Sequence, residues 1–167
     1  MTLMTKPGVE PLKVEPEAIE EAAKLLYIRA CKILPDDIKA GFARLDGSET
    51  DATARTILAT MIENIGVAER LDNLLCQDTG IPIFNVLVGR NVQVDGWALK
   101  EAIAKGTARA TREHPLRSSV VHPITRKNEH TSCGERVPVI NIDFTDAERE
   151  LRIEMIPKGS GSENGSF

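Results

Sequence analysis

A chain of 167 residues, 41% hydrophobic and 28% charged, is long enough to bury the core of one domain. Its net charge of −4 argues against a nucleic-acid partner, and the densest basic stretch, Arg109 to Lys127, has no aromatic residues for base stacking, so it suits a small anion. No apolar run approaches the ~18–20 residues of a membrane span, and residues 1–14 lack a signal-peptide apolar segment, so a cytoplasmic protein is expected.

In chain order, residues 1–14 read as a flexible lead, polar and proline-containing. A helix follows, with Pro16 tolerated in its first turn and Ile19, Ala22, Ala23, Leu26, Ala30 and Ile33 at helical spacing. Pro35-Asp36-Asp37 ends it and caps a short second helix through about Leu45. A third is predicted from about Asp51, with Ala54, Ile57, Leu58, Met61 and Ile65 on one face. Residues 81–88 form a β-rich run closed by Gly89-Arg90, with Pro82 confined to its start. Asp95 and Gly96 introduce a fourth helix with Leu99, Ala102, Ile103, Gly106 and Ala110 on its apolar face, stopped at His114-Pro115. Residues 137–144 and 151–156 alternate like strands around a charged turn and are expected to pair as a hairpin. Helices first, then a mixed strand and helix portion, predict an α+β fold.

The chemistry concentrates in Cys76-Gln77-Asp78-Thr79-Gly80. A thiolate can hold iron or attack carbon, an amide and a carboxylate can position a hydroxyl, and Gly80 lets backbone approach a ligand. Of the other cysteines, Cys31 lies within an amphipathic helix and reads as a small buried residue; Cys133 lies in a polar loop and reads as an exposed bystander. Three widely spaced cysteines make no disulfide framework. His114, His122 and His130 recur every eight residues, unlike the i, i+4 pair of a helical zinc site, and read as turn or surface histidines. A Cys76–histidine nucleophilic pair stays open at this point, as does a non-catalytic binding or assembly module. Arg117, just past a helix end, could cap carbonyls, stay solvated or clamp a carboxylate with its planar fork. Residues 157–167, rich in glycine and serine, are either a flexible linker or an anion-binding backbone loop.

The succession of Cys76-Gln77-Asp78-Thr79-Gly80, then Pro115-Leu116-Arg117, then Lys158-Gly159-Ser160-Gly161-Ser162-Glu163-Asn164 resembles the iron–sulfur-dependent class I fumarase and L-tartrate dehydratase family. The likeness is to the N-terminal region of the alpha part, over residues 19–167. It implies reversible hydration of a C4 dicarboxylate, fumarate to malate first and L-tartrate as the alternative, at a [4Fe-4S] cluster held by three cysteines. It implies Cys76 as a cluster ligand, Gln77 and Asp78 in contact with substrate or iron-bound water, Asp78 as a catalytic group, Arg117 on a substrate carboxylate and a backbone amide from Gly161. Lys158 shares the motif. The other two cluster ligands and the catalytic base would come from downstream sequence, a C-terminal domain or a beta subunit, in a homo- or hetero-oligomer. Residues 15–167 would be an incomplete alpha domain, inactive by itself.

Overall fold

The computed structural model describes residues 10–76 and 78–159, which fall in two compact units. Of the described residues, one unit joins 10–28 to 78–159, and the other is 29–76. The elements are β1 (Leu12–Lys13), α1 (Pro16–Lys32), α2 (Asp36–Ser48), α3 (Ala52–Arg70), β2 (Ile81–Gly89), β3 (Val92–Gln93), α4 (Gly96–Glu113), β4 (Val139–Thr145) and β5 (Leu151–Lys158). This is the α+β class that the sequence predicts.

In the larger unit, β2 is the centre of a three-stranded sheet ordered β4-β2-β5. Pro82, Phe84, Val86 and Val88 alternate along it and are buried. Phe84, Val86 and Val88 meet Ile19 and Ala23 of α1 and Leu99, Ala102 and Ile103 of α4 in one apolar cluster. That alternation is what a strand with one helix-covered face requires. The Asp95 carboxylate caps α4 by accepting from the amide of Ala98 at 2.7 Å. The buried face of α4 contains the predicted residues together with Thr107 and Thr111. Helices α1 and α4 approach so closely that a Cβ on Gly106 would overlap the Glu20 carbonyl oxygen.

The expected hairpin is a correction. Strands β4 and β5 flank β2 instead of each other: β4 runs parallel to it, Phe84 opposite Ile140, and β5 antiparallel, Phe84 opposite Met155. The turn between them folds over the end of β2, where the amides of Gly89, Arg90 and Asn91 donate to the carbonyls of Glu150, Ala147 and Glu148 at 2.8, 2.9 and 2.9 Å. Those bonds satisfy the end of β2 and leave a central strand between its two successors. Within the stretch expected to be a lead, Leu12 and Lys13 pair in parallel with Val92 and Gln93, and Val14 packs on the core.

Register places Phe144 on the same sheet face as Phe84, yet Phe144 is 75% exposed and Phe84 fully buried. Phe84→Ala is therefore expected to cost about 3–5 kcal/mol in urea melts, and Phe144→Ala under about 1 kcal/mol. Equal losses would contradict this placement of the core.

In the smaller unit, α2 and α3 pair, and Asp51 caps α3 by accepting from the amide of Ala54 at 2.8 Å. Lys39 and Glu69 tie the two helices at 2.6 Å. Among the described residues, no helix is long and apolar enough to cross a membrane.

Candidate active site

Cys76 belongs to the smaller unit, on the segment that leaves α3. That segment is tied down at several points. Lys32, nearly buried, reaches the Asp72 carboxylate at 2.8 Å, and the amide of Asn73 donates to the Ala68 carbonyl at 2.9 Å. The amide of Leu75 donates to the Cys31 carbonyl at 3.1 Å, and the Asn64 side-chain amide donates to the Leu75 carbonyl, also at 3.1 Å. The peptide entering Cys76 is thus fixed, while the Cys76 residue is exposed. Gln77 follows and lies outside the described residues, as does Gly161 with the rest of 160–167.

In the larger unit the structure brings three motifs together through Thr79 and Gly80. Asp78 and Arg117 face each other with Nη2 to Oδ1 at 3.9 Å. That distance lies beyond hydrogen bonding, so Asp78 does not lock the guanidinium, which is 60% exposed. The Asp78 carboxylate accepts from the amide of Gly80 at 3.2 Å, a local turn that orients it. The hydroxyl of Thr79 donates to the Arg117 carbonyl, and the Thr79 carbonyl accepts from the phenol of Tyr27 at 3.2 Å. The Ser119 hydroxyl lies 3.5 Å from the Gly80 carbonyl.

Gly80 itself is required by the backbone around it. Its φ is +68°, and a Cβ there would lie 2.7–2.8 Å from the backbone nitrogen, carbonyl carbon and oxygen of Lys158. The close approach is between Gly80 and Lys158 at the end of β5. Sequence reasoning does not single out Tyr27 or Thr79 as site residues. Tyr27 is an apolar-looking position on α1, and only its hydroxyl contact, far away in sequence, reveals it.

The remaining cysteines and histidines take no part in this arrangement. Cys31 is buried, and burial pushes its thiol from 9.0 up to about 12. Cys133 is half-buried and not exposed as expected; its thiol donates to the Ala104 carbonyl at 3.4 Å, and burial raises its pKa. His114 closes α4, the ring of His122 accepts from the amides of Ile124 and Thr125 at 3.2 and 3.1 Å, and His130 is exposed in a turn. Among the described residues, no three His, Cys, Asp or Glu side chains converge as a metal site. The described side chains therefore do not by themselves make a complete set of metal ligands.

Cys31 yields a pH prediction. The folded state keeps this proton up to about 12, whereas an unfolded thiol releases it near 9.0, so the stabilisation is complete below 9 and is lost as pH rises. Wild type should lose about 1.4 kcal/mol per pH unit in that window relative to Cys31→Ala, measured by urea melts at about pH 8 and about pH 10.5. Parallel curves would show that Cys31 ionises as readily folded as unfolded.

A family model described as fumarate hydratase (fumerase) matches residues 20–167. The chain belongs to this fumarase family. It is 39% identical over 150 residues to the "Putative L(+)-tartrate dehydratase subunit alpha" of Methanocaldococcus jannaschii, covering 89% of this chain and 53% of that protein. It is 32% identical over 149 residues to the "Putative fumarate hydratase class I" of Geobacillus stearothermophilus, covering 89% of this chain and 28% of that protein. The "L(+)-tartrate dehydratase subunit alpha" of Escherichia coli is 30% identical over 128 residues, covering 77% of this chain and 42% of that protein. The chain thus spans about half or less of the length of these relatives in the fumarase family.

Proposed function

We propose that residues 15–167 are the N-terminal part of the alpha portion of a cytoplasmic hydro-lyase that adds water to, and removes it from, a C4 dicarboxylate. The observation that carries this reading is the juxtaposition of Asp78 and Arg117 in a chain of the fumarase family. A planar guanidinium with its donors unlocked can take a substrate carboxylate in two parallel hydrogen bonds. Neutralising that carboxylate matters because proton removal beside it builds further negative charge. Asp78, oriented by the Gly80 amide, acts at the water or hydroxyl end of the substrate, with Gln77 beside it in sequence and the Gly161 amide as an additional donor.

Cys76 would supply one thiolate to a [4Fe-4S] cluster, a Lewis acid that weakens the bond to a leaving hydroxyl. The remaining cluster ligands and the catalytic base would come from further sequence or from a beta subunit, since two of the relatives are named as alpha subunits. Fumarate is the first reading of the substrate. L(+)-tartrate is the second, favoured by the name of the relative that is 39% identical.

The test is anaerobic purification of the assembled protein with its partner, then fumarate hydration and L-tartrate dehydration assays before and after iron chelation. The proposal expects turnover of one of the two, lost on chelation and restored by iron and sulfide. Turnover indifferent to chelation, with rapid alkylation of Cys76 abolishing it, would point to a cysteine nucleophile instead. No turnover of either acid would favour a binding module, and efficient turnover by these 167 residues alone would contradict the need for a partner.

A further inference from the structure

We propose that Thr79 is a positioning residue, whose buried hydroxyl holds the backbone of Arg117 so that the guanidinium meets a dicarboxylate from a fixed base. The inference rests on reading Arg117 as the carboxylate clamp.

Thr79 is fully buried, and so is Tyr27, which donates to its carbonyl at 3.2 Å. A hydroxyl withdrawn from water is costly unless it is hydrogen-bonded, and valine would fill the same volume without that demand. Here the hydroxyl donates to the Arg117 carbonyl, joining the Cys-Gln-Asp-Thr-Gly motif to the Pro-Leu-Arg motif across 38 residues of sequence. The neighbours of Arg117 are held as well. Leu116 is buried, the Ser118 carbonyl accepts from the Asn128 side-chain amide at 2.9 Å, and the Ser118 hydroxyl accepts from the Ser132 amide at 3.0 Å.

The Arg117 backbone is therefore anchored while its guanidinium reaches into solvent. A long side group that grips a ligand loses conformational entropy, and a fixed starting point reduces the part lost on binding. The same bond lies one residue from Asp78, so the two groups proposed to act on substrate share one anchor. A hydrogen bond that merely stitched two loops together would support stability and leave substrate recognition alone. A positioning bond acts through Arg117, and that difference can be measured.

The experiment uses the assembled enzyme, with fumarate and L-tartrate as substrates in parallel. Thr79→Val is expected to raise KM about tenfold with kcat within about threefold, and Thr79→Ser to restore KM to within about twofold of wild type. The double variant Thr79→Val with Arg117→Ala should be no worse than Arg117→Ala alone, because both remove one interaction. A lowered melting temperature with KM unchanged, or effects that multiply in the double variant, overturns the inference. If Arg117→Ala itself leaves KM unchanged, the clamp reading has failed and the inference falls with it. If instead Arg117→Ala raises KM and Thr79→Val does not, only the role of Thr79 has failed. Should Thr79→Val not fold, Tyr27→Phe loosens the same residue from its other side. It must raise KM in the same direction, and an unchanged KM overturns the proposal.

Discussion

With Arg117 as the proposed carboxylate clamp, Arg117→Ala is expected to raise KM for the proposed C4 dicarboxylate about a hundredfold in the assembled protein, with the fold intact. The size follows from removing a charge-assisted, two-pronged contact, which commonly costs a factor of this order. The intact fold follows from position: the guanidinium is largely exposed and stands 3.9 Å from Asp78, too far to count as a structural bond. Arg117→Lys keeps the charge and loses the fork, so its KM should lie between, roughly tenfold above wild type. Steady-state assays against a C4 dicarboxylate and a C4 monocarboxylate check the assignment. Equal losses on both acids would show that Arg117 does not read the second carboxylate.

Gly80→Ala is expected to be among the most damaging single-methyl additions in this chain. At φ +68° an L-residue costs about 1–2 kcal/mol, and the new Cβ would also press to 2.7 Å from the Lys158 backbone. Backbone must then shift, so a total near 3 kcal/mol or more is expected, lowering the melting temperature by roughly 6–12 °C. Gly66→Ala is the matched control. Gly66 lies inside α3 with nothing within 4 Å of its Cβ position, so alanine there should stabilise by about 0.5–1 kcal/mol. Similar behaviour of the two variants would contradict the Gly80–Lys158 contact.

The helices were legible because their signals are local. The α4 stripe from Leu99 to Ala110, the start at Asp95 and the stop at His114-Pro115 each lie within a few residues of the feature they predict. Strand neighbours were not legible. Residues 139–145 and 151–158 have the alternation of a hairpin, but alternation fixes which face is buried and says nothing about which strand lies alongside. The apolar density of β2 was the available hint that it is central, flanked on both sides.

The site shows the same division. Residue types suggested Asp78 and Arg117, and the structure sets them face to face. The hydroxyl of Thr79 and the phenol of Tyr27 act over 38 and 52 residues, and no local pattern announces contacts of that span. Gly80 stands out within its motif in the sequence, but its close approach to the Lys158 backbone spans 78 residues and has no local signal. The burial of Cys31 was legible from the amphipathic helix that holds it, whereas the loop around Cys133 has no periodicity from which its half-burial could be read.

The proposal that Cys76 supplies a thiolate to the iron–sulfur cluster of a hydro-lyase is tested most directly by iron and sulfide analysis of Cys76→Ser beside wild type. Both are purified anaerobically with the proposed partner subunit and assayed on fumarate and L-tartrate. The account predicts that wild type carries a cluster and turns over one of the two acids, while Cys76→Ser loses the iron and at least about 10³-fold of the activity at an unchanged melting temperature. Full iron content and full activity in Cys76→Ser would contradict it.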